Sequence, residues 1–164
     1  MKIGLVLAGG GGKGAYELGV WKALDELKLT KYITVFSGTS IGAFNSVLFA
    51  MNDMKKADEL WEEVTMDKLV PISKSELIKR GIGLYIGGKN LQLAKKFLNY
   101  KLEHGAIAND GAIEVVEKYL DFNKIKENNK ICYAACTKLS DFSAKYFKIN
   151  DFDEETGKKI VLAS

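Results

Sequence analysis

Proline, cysteine and histidine are scarce in this sequence, and their scarcity argues against some classes of protein. Among 164 residues there are one proline, two cysteines and one histidine. Cys132 and Cys136 lie in one apolar segment without a second cysteine pair, so the sequence indicates neither a zinc site nor a disulfide framework. We expect both cysteines to be small hydrophobic residues of the core, and we expect no metal or other cofactor.

Long apolar runs and a strong net charge are also missing. No run approaches the roughly 20 apolar residues that cross a bilayer, and residues 1–7 reach the first glycines too early for a signal peptide. The net charge of +3 is too small to indicate a nucleic-acid partner, although it leaves room for attraction to anionic membrane surfaces. With 47% hydrophobic residues, the chain is predicted to be one cytoplasmic domain with its own core, at most peripheral to membranes.

Glycine is concentrated in a loop near the N-terminus. The apolar run 2–8 predicts a strand, residues 9–14 are glycines apart from Lys13, and the apolar spacing over residues 15–27 predicts an amphipathic helix. Such a loop exposes backbone N–H groups that bind anions at a helix start. It matches the dinucleotide pattern G-x-G-x-x-G, but no acidic residue follows about 20 positions later to bind a ribose. A Walker phosphate loop does not fit, because Gly14 stands where a magnesium-binding serine or threonine is needed.

A serine flanked by glycines forms the second motif. Residues 38–42 fit the G-x-S-x-G pattern of a nucleophile elbow around Ser40, with Gly38 and Gly42 where larger side chains would clash. The run 32–36 predicts the strand before the serine, and the apolar spacing from 44 to 51 predicts the helix after it. There the Ser40 hydroxyl would meet backbone N–H groups that favour negative charge. The alternative is an ordinary turn whose serine only caps the helix.

The two motifs complement each other, because a serine hydrolase needs N–H donors about 3 Å from the oxyanion of its tetrahedral intermediate. Both motifs would lie at the carboxyl ends of parallel strands, the edge where open α/β sheets place their sites. Together with residues 19–24, Gly-Val-Trp-Lys-Ala-Leu, they resemble the patatin-like phospholipases.

The resemblance assigns roles to residues of both motifs. It implies that Ser40 is the nucleophile and that the backbone amides of three glycines form the oxyanion hole, namely Gly9, Gly10 and Gly11. Four further residues support the match as motif positions: Lys13, Gly14, Gly38 and Gly42. The family uses a serine–aspartate dyad, which agrees with a chain whose one histidine, His104, lies in a predicted loop or helix end.

The dyad aspartate is not evident. Asp110 begins an Asp-Gly-Ala sequence like the family's aspartate motif, but it precedes a predicted amphipathic helix over residues 112–120, where an Asn-Asp start is ordinary capping chemistry. We therefore interpret Asp110 as a decoy and keep it only as an alternative base. Family sequences continue from an Ala-Ser pair like Ala163-Ser164 into a proline-containing segment and then the aspartate motif. Three explanations stay open: a fragment with the aspartate beyond residue 164, a short form that lost it, and use of Asp110.

The fold class implied by the resemblance is α/β, a three-layer patatin-like fold with a central, mostly parallel sheet flanked by helices. Residues 1–164 would form one catalytic domain, incomplete at its C-terminus. Patterns along the rest of the chain predict further helices, a glycine-rich connector that could act as a lid, and a hairpin of two strands. In that order these are helices 54–64 and 91–102, connector 81–88, hairpin strands 130–139 and 144–149, and a short helix from 153 toward 163.

Three functions compete on the sequence alone. The first is a lipid acyl hydrolase with an acyl lipid or membrane-surface substrate and no nucleic-acid partner. The second is an inactive lipid-binding or interaction module of the same fold. The third, a nucleotide-binding domain that uses residues 9–14, is disfavoured by the missing ribose-binding acid. The sequence does not indicate an oligomeric state.

Overall fold

The computed structural model describes residues 2–64, 110–138 and 140–164. Within them the chain forms four strands: β1 (Ile3–Leu7), β2 (Ile33–Thr39), β3 (Ile131–Thr137) and β4 (Ala144–Lys148). It also forms six α-helices: α1 (Lys13–Glu26), α2 (Ile41–Ala50), α3 (Met54–Glu63), α4 (Asp110–Tyr119), α5 (Phe122–Glu127) and α6 (Glu154–Ala163). Short 3-10 turns precede β2 and follow β4: Thr30–Tyr32 and Ile149–Asp151.

The strands form one mostly parallel sheet in the order β1-β2-β3-β4. β1 is parallel to β2, with Leu7 opposite Gly38, and β2 is parallel to β3, with Gly38 opposite Ala134. β3 and β4 are antiparallel, which confirms the predicted hairpin. Because β1, β2 and β3 are mutually parallel, their carboxyl ends meet at one edge of the sheet. The predicted α/β class with a mostly parallel sheet is confirmed, and both motifs begin at this edge.

Helix α2 is the centre of the core. All of its residues from Ile41 to Ala50 are buried, because it packs on the sheet and against α1, α3 and α5. Phe49 of α2 stacks on Trp21 of α1 with ring centroids 5.1 Å apart. Trp21 also contacts Phe36 of β2 edge-on, with ring centroids 5.5 Å apart. A helix that is buried all round is held from every direction, so the turn at its N-terminus has a rigid support.

Aspartates cap three of the helices. Asp53, Asp121 and Asp153 accept hydrogen bonds from backbone amides in the first turns of α3, α5 and α6, at 3.0, 3.0 and 2.8 Å. Each cap of this kind stabilises its helix by about 1 kcal/mol. Helices α3 and α6 were predicted from the sequence, whereas α5 was not, because six residues are too few to show an apolar period.

Other predictions have mixed outcomes. Cys132 is fully buried as expected, but Cys136 is only partly buried, since it stands near the carboxyl end of β3, so the core prediction is wrong for it. The predicted helix 91–102, the connector 81–88 and His104 lie outside the described residues. Within the described ranges, no helix combines the length and apolar character needed to cross a membrane.

Candidate active site

Ser40 lies at the turn between β2 and α2 in a strained backbone conformation. Its φ of 56° and ψ of −127° fall outside the regions that residues with a side chain ordinarily adopt. Its carbonyl oxygen accepts hydrogen bonds from the amides of Ala43 at 2.9 Å and Phe44 at 3.2 Å, so the helix begins directly after it. Ser40 is nevertheless exposed. The predicted strand–turn–helix elbow with a strained serine is confirmed, and the serine is accessible from solvent.

Packing explains both glycines of the elbow. A Cβ on Gly38 would fall on the carbonyl group of Gly42 and 2.5 Å from the amide nitrogen of Ala43. A Cβ on Gly42 would fall on the carbonyl group of Leu7, the last residue of β1, and 2.8 Å from the carbonyl oxygen of Ala8. Since neither backbone segment can move away cheaply, only glycine fits at these positions. The start of α2 is therefore pressed against the end of β1.

In the glycine loop, residues 9–12, two glycines are required by conformation. Gly10 and Gly11 have φ values of 148° and 56°, which glycine adopts at little cost. In the described part of the chain, the amides of Gly9, Gly10 and Gly11 donate to no acceptor. The amide of Lys13, two positions after Gly11, donates to the Gly10 carbonyl oxygen at 3.2 Å as α1 begins. The loop thus offers unpaired backbone donors at the start of a helix.

The glycine loop lies beside the serine. A Cβ on Gly9 would be 3.3 Å from the Cβ of Ser40 and 3.3 Å from the carbonyl oxygen of Thr39. On the other side of the loop, a Cβ on Gly10 would be 2.8 Å from Cδ of Lys13, so the aliphatic part of that exposed lysine lies along the loop. The structure therefore brings together the loop, Lys13 and Ser40 at one edge of the sheet.

Ser164 is a further residue at this edge. Its hydroxyl accepts a hydrogen bond from the backbone amide of Ser40 at 2.9 Å and donates one to the carbonyl oxygen of Ala135 at 2.5 Å. It thereby links the strained turn to the carboxyl end of β3. On the sequence, Ser164 was a landmark of the family resemblance, and no local pattern predicted this contact.

Asn45 links α2, which follows the serine motif, to α1, which follows the glycine loop. The sequence analysis did not predict this role. Asn45 is fully buried on α2, where it hydrogen-bonds to α1 and to α3. Gly14, in the first turn of α1, leaves room for this contact, because a Cβ there would lie 2.7 Å from Cγ1 of Ile41 and would overlap the ring of Trp61. One signal was available in the sequence: an asparagine at the centre of a mostly apolar helix is costly to bury unless its amide is satisfied.

The cysteines are not alternative nucleophiles. Burial raises the pKa of the Cys132 thiol far above its ordinary value, and burial also raises the pKa of Cys136. Both thiols are therefore protonated at neutral pH, and only a thiolate is strongly nucleophilic. Among the described residues, no group of three or more histidine, cysteine, aspartate or glutamate side chains could hold a metal ion.

Asp110 begins α4, in agreement with its predicted place at a helix start. Its side chain lies outside what the structure describes, so the predicted capping contact stays a prediction. Helix α4 packs against α3 and α6. In the described residues, no carboxylate hydrogen-bonds to the Ser40 hydroxyl.

Curated relatives match a short part of the chain. "Lysophospholipase nte1" of Aspergillus terreus is 52% identical over 48 residues, which are 29% of this chain and 3% of that protein. "Lysophospholipase NTE1" of Kluyveromyces lactis is 48% identical over 50 residues, which are 30% of this chain and again 3% of the relative. The chain thus spans a very small fraction of the length of these relatives.

Solved structures show the same fold over nearly the whole chain. VipD from Legionella pneumophila covers 98% of this chain with a TM-score of 0.56 and 19% identity, using 41% of its own length. The type III effector protein ExoU covers 99% with a TM-score of 0.52 and 21% identity, using 39% of its length. The sequence model described as "Patatin-like phospholipase" matches residues 5–164. A match of that extent shows that the chain belongs to the patatin-like phospholipase family.

Proposed function

We propose that this chain carries the nucleophile of a lipid acyl hydrolase of the phospholipase A or esterase type. The observation that carries the proposal is an exposed, strained Ser40 beside a loop whose three glycine amides donate to no acceptor among the described residues. The Ser40 oxygen attacks the ester carbonyl carbon, and the carbonyl oxygen becomes an oxyanion that the amides of the glycine loop stabilise. The leaving alcohol departs as the C–O bond breaks, and water then hydrolyses the acyl-enzyme.

The proton of the Ser40 hydroxyl needs a base, and we assign this role to the aspartate of the family's dyad, which then passes the proton to the oxygen of the leaving alcohol. By resemblance, that aspartate follows an Ala-Ser pair like Ala163-Ser164, so we expect it beyond residue 164 in a longer form of the protein. Asp110 is not that base in this proposal. A base must come within about 2.6–3.2 Å of the serine oxygen, and a carboxylate at a helix start is held by that helix's own amides.

We infer an acyl lipid as the substrate class. Family membership supports it, and the matched segments belong to proteins named lysophospholipases. The serine mechanism as proposed needs no metal or organic cofactor, because nucleophile and oxyanion donors come from the chain itself.

Ser40→Ala is the direct test. A form of the protein that includes the dyad aspartate should hydrolyse short-chain p-nitrophenyl esters, and Ser40→Ala should abolish this activity, since loss of a nucleophile costs several orders of magnitude. Asp110→Asn in the same form serves as the matched control and should change the rate little. A fluorophosphonate probe should label the wild type and not Ser40→Ala. Equal rates for wild type and Ser40→Ala would overturn the nucleophile assignment.

An inactive lipid-binding module is the second candidate. It differs from the first candidate only in lacking a working base for Ser40, so assays of lipid binding and of hydrolysis separate the two. Under this alternative, the longer form would bind phospholipid vesicles in a sedimentation assay but would show neither ester hydrolysis nor labelling by the fluorophosphonate. Hydrolysis that depends on Ser40 would rule it out.

A further inference from the structure

We propose that Asn45 is a positioning residue that holds the oxyanion loop against the nucleophile elbow. Nothing in the motifs or the resemblance assigns it a role, and the inference rests on the proposed function of Ser40. Asn45 lies on α2, five positions after Ser40, and is 0% exposed. An amide side chain offers two N–H donors and one carbonyl acceptor, so it can bind several partners at once without carrying charge.

The Asn45 amide connects three helices. Its Nδ2 donates to the carbonyl oxygen of Gly14 at 3.1 Å and to Oε2 of Glu17 at 2.9 Å, both on α1. Its Oδ1 accepts from Nε1 of Trp61 on α3 at 3.2 Å. Its three hydrogen bonds are thus directed at the N-terminal part of α1 and at the Trp61 ring that covers it.

The placement of these bonds explains why they would matter for the site. Gly14 lies two residues after the glycine loop, and its amide donates to the carbonyl oxygen of Gly11 at 3.0 Å, so whatever fixes Gly14 also restrains the loop. Asn45 is anchored in α2, whose N-terminus is the turn that presents Ser40. The Asn45 bonds therefore set the distance between the donors and the nucleophile, which catalysis requires to within a fraction of an ångström.

Close packing surrounds the same contact. A Cβ on Gly14 would overlap the Trp61 ring, so indole and backbone already touch. When the Asn45 amide is removed, its partners on α1 and α3 lose their hydrogen bonds. The structure then relaxes by moving the helices apart. Of the two helices, α2 is buried on all sides, so α1 and its loop would be the part that shifts.

Ser46 provides a matched control. It neighbours Asn45 on α2, is also fully buried and polar, and donates its hydroxyl to the carbonyl oxygen of Gly42 at 2.8 Å within its own helix. Ser46→Ala thus removes a buried hydrogen bond from the same helix without touching α1. A residue with a merely structural role should behave like Ser46.

We would test this with Asn45→Leu, Trp61→Phe and Ser46→Ala in the form that contains the dyad aspartate. Asn45→Leu, which keeps the volume and removes the amide, should lower kcat roughly 10- to 100-fold with KM within about twofold, and Trp61→Phe should lower kcat less, roughly threefold to tenfold. Ser46→Ala should leave kcat within about twofold. In urea unfolding, Ser46→Ala should lose about as much stability as Asn45→Leu does. If Asn45→Leu does not fold, Trp61→Phe against Ser46→Ala decides.

Hydrogen exchange separates failure of this inference from failure of the proposed function. By mass spectrometry, the amides of Lys13, Gly14 and Ala15, which donate to the carbonyl oxygens of the glycine loop, should exchange roughly tenfold faster in Asn45→Leu than in Ser46→Ala, while β2 exchanges equally in both. This holds even for a protein without esterase activity. Equal exchange of these three amides in both variants, or a kcat of Asn45→Leu equal to that of Ser46→Ala, would show Asn45 to be an ordinary core residue.

Discussion

The two turns at the edge of the sheet use glycine for different reasons. In the elbow, Gly38 and Gly42 are needed because neighbouring backbone leaves no space for a Cβ. In the glycine loop, Gly10 and Gly11 are needed because their φ values are positive. The elbow meanwhile holds Ser40, a residue with a side chain, at a positive φ of its own.

This difference indicates that the elbow and the glycine loop have different roles in the site. Dense packing over-determines the elbow, so it can keep one strained residue exposed in a fixed place. In the described residues, the amides of Gly9, Gly10 and Gly11 donate to no acceptor, which leaves them available as hydrogen-bond donors to a substrate. The amides of Lys13 and Gly14 in α1 donate to the loop carbonyl oxygens, so the position of the loop depends on that helix. Damage to the elbow should appear first as lost stability, and damage to the loop as lost rate.

Replacing Gly38 by alanine should have the largest effect. The added Cβ meets the backbone of Gly42, which cannot move without displacing α2, so we expect a loss of roughly 3 kcal/mol or failure to fold. Gly19→Ala is the matched control, because none of the described residues lies within 4 Å of a Cβ at that position of α1. It should stabilise the protein by about 0.5–1 kcal/mol. Urea unfolding followed by circular dichroism measures both, and equal stabilities would mean that the elbow is not tightly packed.

Gly10→Ala should reduce rate more than stability. The new Cβ meets only the flexible Lys13 side chain, but the φ of 148° disfavours alanine, so the loop should relax and turn its donors away. Since an oxyanion donor is worth roughly 3 kcal/mol, kcat for p-nitrophenyl esters should fall by up to about 100-fold. Gly12→Ala, at an ordinary φ of −57°, should keep the wild-type kcat. An unchanged kcat in Gly10→Ala would mean that the loop has another task.

Ser164→Ala should have a smaller effect, this time on the elbow. It removes the acceptor of the Ser40 amide, a bond at 2.9 Å that water can partly replace, so we expect a loss of about 1 kcal/mol. Labelling of Ser40 by a fluorophosphonate should slow a few-fold. Ser164→Thr retains the hydroxyl and should restore both values. Identical behaviour of the alanine and threonine variants would show that the hydroxyl does not support the turn.

The smallest expected effect concerns Asp53, which caps α3. This helix carries Trp61, whose ring packs against Gly14. The backbone N–H of Lys56, and then Lys124, lower the pKa of Asp53 below 3.8. A carboxyl with a lowered folded pKa stabilises the protein above pH 3.8, and that contribution is lost as the pH falls through the folded pKa. Asp53→Asn should therefore be less stable at neutral pH by up to about 1 kcal/mol, with the gap closing in acid. Urea unfolding across pH tests this, and a gap independent of pH would contradict it.

Local patterns in the sequence were sufficient for much of the fold. The sequence predicted the strand before each glycine motif, the helix after it, the hairpin of β3 and β4 and the start of α6. These predictions succeeded because the spacing of apolar residues, glycines and capping residues determine structure within a few positions along the chain. Helix α5 was missed because six residues are too few to show the repeat of apolar residues that indicates a helix. Cys136 was misjudged because a strand's composition does not show where the strand leaves the core.

By itself, the sequence determined that a glycine loop and a serine elbow each follow a strand, since both are short-range patterns. Only the tertiary structure decided what each residue is for. Gly42 is a glycine because β1 ends beside it, Asn45 is polar because α1 and α3 supply its partners, and Ser164 reaches an amide 124 positions away along the chain. The contacts of Gly42 and Ser164 join elements distant in sequence, and parallel pairing of β1, β2 and β3 is the physical reason that these elements meet. The contacts of Asn45 depend instead on how α1 and α3 pack against α2.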